Sequence, residues 1–199
     1  MTSKPVVIVL HGPSGVGKDS VIDLLRTRTG IHRATSSTSR APRPDEEDGN
    51  HYHFLSEEQF EKKIAAGDFA EYARVYGDWK GLERSEIEGP LREGRDVIIR
   101  TDVQGARAWR KKIEGAVFIF LTAEDRDTLR TRLIERGSED GESLTRRLQE
   151  LEEELADINN NDYVVVNRHG RVSETADEII GIIAKERENA ARPVPRLIS

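Results

Sequence analysis

Residues 12 to 20 read Gly12-Pro13-Ser14-Gly15-Val16-Gly17-Lys18-Asp19-Ser20, a glycine-rich run that leads into a lysine. Gly12, Gly15 and Gly17 allow the backbone to turn tightly enough to aim successive N–H groups at one polyphosphate. Lys18 brings an ammonium group to the terminal phosphates, and a helix opening at the same point directs its positive end there. The spelling follows the phosphate-binding pattern G-x-x-x-x-G-K-[ST], except that Asp19 stands where a hydroxyl would face Mg²⁺. A carboxylate can hold Mg²⁺ directly or through water, so Asp19 is the expected metal ligand. It also brings negative charge close to a triphosphate.

A second group of residues suits a phosphate acceptor. Thr38-Ser39-Arg40-Ala41-Pro42-Arg43-Pro44 sets Arg40 and Arg43 three residues apart on a chain stiffened by two prolines. Such a pair can fork onto one phosphate with little further loss of entropy, and Tyr52 adds a hydroxyl. Taken alone, the run reads more readily as an ordinary exposed loop; the upstream phosphate loop favours a joint role. Phosphoryl transfer needs positive charge, in-line placement and exclusion of water more than covalent chemistry. The chain has no cysteine, which excludes disulfides and thiol catalysis. His51 and His53 have no third ligand nearby in sequence, which argues against a metal site there. His11 is expected to be a neutral hydrogen-bonding residue, and Trp79 and Trp109 to be packing residues.

The elements that must position these groups show as short apolar runs. Residues 6–10, 97–100, 117–121 and 163–166 are almost continuously apolar, as strands covered on both faces should be. Helical stretches fall at 18–28, 103–111, 126–135 and 174–188. The alternation predicts an α/β domain, a three-layer α/β/α arrangement around a central parallel sheet that binds ligands at its strands' carboxyl ends. Residues from about 31 to 94 interrupt the alternation. They include 35–43, 52–54, a helix over 56–66 with a Ser56/Gln59 capping box, and 69–75, and predict a small mixed β-rich subdomain. Farther on, Leu144, Leu148, Leu151, Leu155 and Ile158 recur at alternating steps of four and three. Two heptads are too few for an independent coiled coil, so this is expected to be an amphipathic helix covering the nucleotide.

At 199 residues the chain suits one globular domain. A net charge of -6 argues against general nucleic-acid binding. No apolar run is long enough for a leader or a membrane span, so a cytoplasmic location is expected.

Several motifs, in order, resemble the guanylate kinase family. Besides the loop they are Thr38 to Pro44, Asp48-Gly49-Asn50-His51-Tyr52-His53-Phe54, residues 65–71, Asp102-Val103-Gln104-Gly105-Ala106 and Asp162-Tyr163-Val164-Val165-Val166-Asn167. The resemblance extends from about residue 6 to 183. It implies a P-loop kinase that uses ATP and Mg²⁺ to phosphorylate GMP, with nucleotides as its small-molecule partners. The implied parts are a core (about 4–33, 95–125 and 160–190), an acceptor-binding insert (about 34–94) and a helical lid (about 126–159). By position, Lys18 matches the catalytic lysine, and Arg40, Arg43 and Tyr52 match residues that hold the acceptor phosphate. Ser36, Glu71 and Asp102 match residues that read guanine, whose N1–H and N2–H₂ are adjacent donors that one carboxylate can accept. Arg136 and Arg147 match lid arginines that close over ATP. Monomer and homodimer both remain open.

Four positions depart from the family pattern: Asp19; Lys80, usually a tyrosine; Leu82, usually a serine or threonine; and Arg100, usually an acid. Lys80 and Arg100 are expected to offer cations to the acceptor, whereas Leu82 cannot donate to guanine O6. The Gly-Lys-Asp-Ser spelling also resembles ribose 1,5-bisphosphate phosphokinases, which makes another nucleotide or a phosphosugar the alternative acceptor. A non-catalytic guanylate kinase-like binding module is the other alternative, and such modules usually lack an intact phosphate loop.

Overall fold

A computed structural model describes residues 4–125, 129, 151–152 and 154–198. Most of the expected lid, including Arg136, Arg147, Leu144 and Leu148, lies outside the described residues. In chain order the elements begin with β1 (Val7–His11), α1 (Lys18–Thr29), β2 (His32–Arg33), β3 (Ser37–Thr38) and β4 (His53–Phe54). The chain continues through α2 (Glu57–Ala66), β5 (Phe69–Val75), β6 (Asp78–Glu83), α3 (Ser85–Arg92), β7 (Val97–Arg100) and α4 (Val103–Trp109). It ends with β8 (Ile113–Glu114), β9 (Val117–Thr122), β10 (Tyr163–Val166), α5 (Val172–Glu188) and β11 (Arg196–Leu197).

Five strands form the central sheet in the order β10-β9-β1-β7-β2, and every neighbouring pair is parallel. Side chains along β1 alternate between the two faces. Val7 and Val9 join Val97, Ile99, Phe118 and Trp109; Ile8 and Leu10 join Ile22, Leu25, Ile119 and Ile179. A strand buried on both faces must be apolar throughout, which explains the continuous run in the sequence. Helices α1 and α5 pack together over the second face, and α4 supplies Ala106 and the fully buried Trp109 to the first. The expected three-layer arrangement is therefore present. Among the described residues no helix is long and apolar enough to cross a membrane.

The region between β2 and β7 folds as a second, four-stranded sheet in the order β4-β3-β6-β5. β3 pairs parallel with β4 and antiparallel with β6. Helix α2 packs on this sheet through Phe60, whose ring stacks on Phe69 at 4.2 Å. Its expected capping box is present: Gln59 N–H donates to Ser56 Oγ at 3.1 Å, and Ser56 N–H donates to Gln59 Oε1 at 2.8 Å. Strand β6 and helix α3 were not anticipated from the sequence.

Helix α3 ties the two sheets together. The Nε2 atoms of His32 on β2 and His53 on β4 lie 3.0 and 3.2 Å from the two carboxylate oxygens of Glu86, which also accepts from Thr35 N–H at 2.8 Å. Burial works to raise the Glu86 pKa, but these hydrogen bonds outweigh it and hold the group down to about 2. His53 is thus occupied by a carboxylate joining insert to core.

The connection from β1 to α1 passes close against β9. Gly12 has φ +139°, and a Cβ at that position would overlap the Leu121 carbonyl oxygen. Gly30, with φ +70° at the end of α1, has open space around the same position. Gly12→Ala should therefore cost about 2–4 kcal/mol, from backbone strain plus overpacking. Gly30→Ala should cost about 1 kcal/mol, from its left-handed backbone alone. Urea unfolding of both variants checks this; equal losses would contradict the close approach.

Candidate active site

The loop that follows β1 is shaped by its glycines and clamped from behind. Gly12, Gly15 and Gly17 all have positive φ, of 139°, 78° and 91°. Asn167, just beyond β10, donates from Nδ2 to Val16 O at 2.8 Å and accepts from Thr175 Oγ1 of α5 at 3.0 Å. Its own N–H donates to Thr122 O of β9 at 2.7 Å. A Cβ on Gly17 would stand 2.6 Å from Asn167 Nδ2, so glycine is required for that clamp as well as for the turn. The sequence carried this residue only as the end of a motif; its bond to the loop was not legible there.

Lys18 is 8 % exposed, and its ammonium donates to the Gly12 and Pro13 carbonyl oxygens at 2.6 and 2.9 Å. Burial pushes its pKa down to about 8, and the Arg100 guanidinium adds to the effect. His11, immediately before the loop, is fully buried. Its pKa is lowered chiefly by burial, and its Nε2 lies 2.6 Å from Asn161 Oδ1, in keeping with a neutral ring.

Asp19, in the first turn of α1, faces two arginines. Arg100 Nε, at the end of β7, lies 2.9 Å from Asp19 Oδ1, and Arg33 Nη2, at the end of β2, lies 3.2 Å from the same oxygen. Arg33 was not among the residues singled out from the sequence. Among the described residues no group of three or more His, Asp or Glu side chains is arranged to hold a metal ion. With one carboxylate whose Oδ1 already meets two cations, the residues present do not by themselves fit a magnesium site.

A cavity of about 1100 Å³ joins this loop to the insert. Gly12, Lys18, Asp19, Ser20 and Arg100 line one part; Ser36, Tyr52, Glu71, Lys80 and Asp102 line another. The Glu71 pKa is raised, first by burial, with Lys112 opposing the rise; Lys112 Nζ lies 4.0 Å from the carboxylate. Asp102 Oδ1 accepts from Gly105 N–H at 2.7 Å, which caps α4 and fixes that carboxylate. Lys80 Nζ lies 5.9 Å from the Tyr52 ring centre. Leu82 is a core residue, 2 % exposed and absent from the cavity lining.

Arg40 and Arg43 do not line this cavity. The Arg40 guanidinium sits 5.5 Å from the Tyr52 ring centre and donates to Glu46 Oε1 at 2.8 Å. Glu46 also accepts from Arg43 N–H at 2.9 Å, so this one carboxylate organises the whole arginine loop. Hydrogen bonds from Arg40 and then Arg43 hold its pKa down to about 2. The acidic run after Pro44 is the sequence signal for such an anchor.

A glycine-shaped loop, a buried lysine, a parallel sheet and a four-stranded subdomain sharing one cavity with the loop define a P-loop phosphotransferase of the nucleotide-kinase class. A family model described as guanylate kinase matches residues 3–186. The chain belongs to the guanylate kinase family.

Relatives agree with that placement. The chain is 41% identical over 186 residues to guanylate kinase 2, chloroplastic/mitochondrial, of Oryza sativa subsp. japonica, a match covering 92% of this chain and 65% of that protein. It is 42% identical over 160 residues to a guanylate kinase of Xanthomonas oryzae pv. oryzae, covering 80% of this chain and 79% of the relative. The crystal structure of guanylate kinase from Anaplasma phagocytophilum superposes with a TM-score of 0.68 at 28% identity, covering 96% of this chain and 90% of that one.

Lys18 generates a pH prediction. Its lowered pKa means that the ammonium, the form that attracts phosphate, is present below about pH 8 and is lost as pH rises through that value. ATP affinity should be flat at neutral pH and weaken above about pH 8, by at most about tenfold per pH unit. Binding near pH 8 should also take up protons. Calorimetric titration in buffers of different ionisation enthalpy checks both, and a flat profile to pH 9.5 would contradict the assignment.

Proposed function

We propose that the protein transfers the γ-phosphoryl group of ATP to GMP, giving ADP and GDP. The observation that carries this reading is one cavity that joins the Lys18 phosphate loop to Ser36, Tyr52, Glu71 and Asp102 of the acceptor side, in a chain of the guanylate kinase family. The family implies ATP with Mg²⁺; the ion would be held largely by ATP's own oxygens.

In this mechanism an oxygen of the GMP phosphate attacks the γ-phosphorus, forming one P–O bond as the bond to the ADP oxygen breaks. A phosphate dianion is already a nucleophile, so no general base is needed. The protein supplies position and charge. Loop amides and Lys18 hold the donor phosphates, while Arg40, Arg43 and Tyr52 hold the acceptor phosphate, with Lys80 beside them. Arg40 adjoins the cavity through Tyr52, whose ring its guanidinium faces at 5.5 Å. Arg136 and Arg147 are assigned to covering ATP.

Glu71 and Asp102 give the site its base preference. Guanine presents two adjacent donors to the half-buried Glu71, and a base without them leaves that carboxylate underpaired. The burial of Leu82 removes it from the contacts available to a base. The phosphosugar alternative rests on the Asp19 spelling and on the missing hydroxyl at Leu82, and is opposed by the Thr38 to Pro44 and Glu71 matches.

ADP release measured with GMP, IMP, AMP and ribose 1,5-bisphosphate tests the assignment. GMP should be the best acceptor, and Glu71→Gln should lower kcat/KM for GMP about 30-fold, the value of a lost charged hydrogen bond near 2 kcal/mol. IMP, which lacks the 2-amino group, should lose less. Turnover that no acceptor accelerates would contradict kinase activity, and equal losses for GMP and IMP would contradict the role given to Glu71.

A further inference from the structure

We propose that Arg100 is a further catalytic residue on the donor side of the reaction, held by Asp19, which acts as a positioning residue and not as a metal ligand. The inference rests on the kinase reading and changes where these two side chains act within it. Sequence position alone would place Arg100 with the acceptor and Asp19 with the metal.

Register fixes the backbone of the pair. Arg100 lies opposite Leu10 in the parallel pairing of β7 with β1, and Thr101 N–H donates to Leu10 O at 3.1 Å. One residue after Leu10, β1 ends and the phosphate loop begins. Arg100 thus leaves the sheet at the same level as the loop, in the crevice at the strands' carboxyl ends where α/β folds bind ligands.

Side-chain geometry then gives each group a task. The ion pair with Asp19 meets Arg100 at Nε, 2.9 Å from Oδ1. Nε is the inner corner of the guanidinium, so anchoring there leaves the outer fork available to phosphate oxygens. Arg33 Nη2 approaches the same Asp19 oxygen at 3.2 Å, so two cations hold the carboxylate. Asp19, Arg33 and Arg100 together carry one net positive charge. A bare carboxylate beside a triphosphate would repel it; this arrangement does not.

Magnitude separates position from stability. The Asp19 and Arg100 side chains are 50% and 44% exposed, and ion pairs so open to water contribute about 0–1 kcal/mol to folding. The same guanidinium facing phosphate inside a closed cleft is worth several times more. Electrostatic coupling between Arg100 and Lys18 already shows that the two cations share one small region.

The test is a double-mutant cycle on binding of ATP in excess EDTA, where no metal contributes, with Mg²⁺ dependence of turnover as second readout. Wild-type protein that fails to bind ATP even with Mg²⁺ present would sink the kinase reading itself. With wild-type binding intact, Arg100→Met should raise the Kd for metal-free ATP about tenfold. Asp19→Asn should raise it about threefold, and that change should shrink below twofold when Arg100→Met is already present. Urea unfolding should shift little for either single variant. An unchanged Kd in Arg100→Met would overturn the inference. So would an Asp19→Asn effect that is equal in both backgrounds and falls mainly on the Mg²⁺ concentration needed for half-maximal turnover.

Discussion

A buried ammonium must have partners, and that requirement on Lys18 governs the arrangement of this protein. Two carbonyl oxygens of its own loop, those of Gly12 and Pro13, meet it at 2.6 and 2.9 Å. They can do so because the loop doubles back at Gly12, where the chain runs against the Leu121 carbonyl, and is held from behind by Asn167. The clamp in turn needs β9, β10 and α5 in register beside β1. The apolar sheet therefore does more than stabilise the fold. It holds a cation that water would otherwise claim, with its pKa lowered to about 8 and its charge ready for a stronger anion. Carbonyl dipoles are weaker partners than phosphate oxygens, so exchanging one for the other favours ligand binding.

Charge is distributed in pairs in and around the cleft. Asp19 is balanced by Arg33 and Arg100, Arg40 by Glu46, and Glu71 lies within reach of Lys112. The surface pairs are worth little for stability. Their common effect is to aim long side chains that would otherwise sample many rotamers, reducing the entropy lost when substrate arrives. Glu86 does related work at a larger scale: by meeting His32, His53 and Thr35 it fixes the four-stranded sheet to the edge of the core.

Much of this was legible in the sequence because it follows from local physics. Continuous apolar runs gave β1, β7, β9 and β10, and the Ser56/Gln59 spacing gave the start of α2 to the residue. Strand β6, Asp-Trp-Lys-Gly-Leu-Glu, has no period-two pattern, and it is held by pairing with β3 and β5. Helix α3 contains Gly89 and Pro90, which read as helix breakers, yet it persists because Ile87 is buried and Glu86 is bonded on both sides. At the site, Lys18 and the glycines were readable from spacing. Arg33 was not, since its relation to Asp19 is created by β2 lying beside β7. The same holds for Asn167, which approaches Val16 across 151 residues of chain. Leu82, which the sequence excludes as a donor to guanine O6, is a core residue.

The most direct measurement of the account is a crystal structure with adenosine and guanosine joined 5′ to 5′ through five phosphates. Lys18 Nζ should leave the Gly12 and Pro13 carbonyls and lie about 2.8 Å from phosphate oxygens, with loop amides around the chain and guanine against Glu71. A polyphosphate bound elsewhere, with the Lys18 ammonium still on its two carbonyls, would contradict the account at its root.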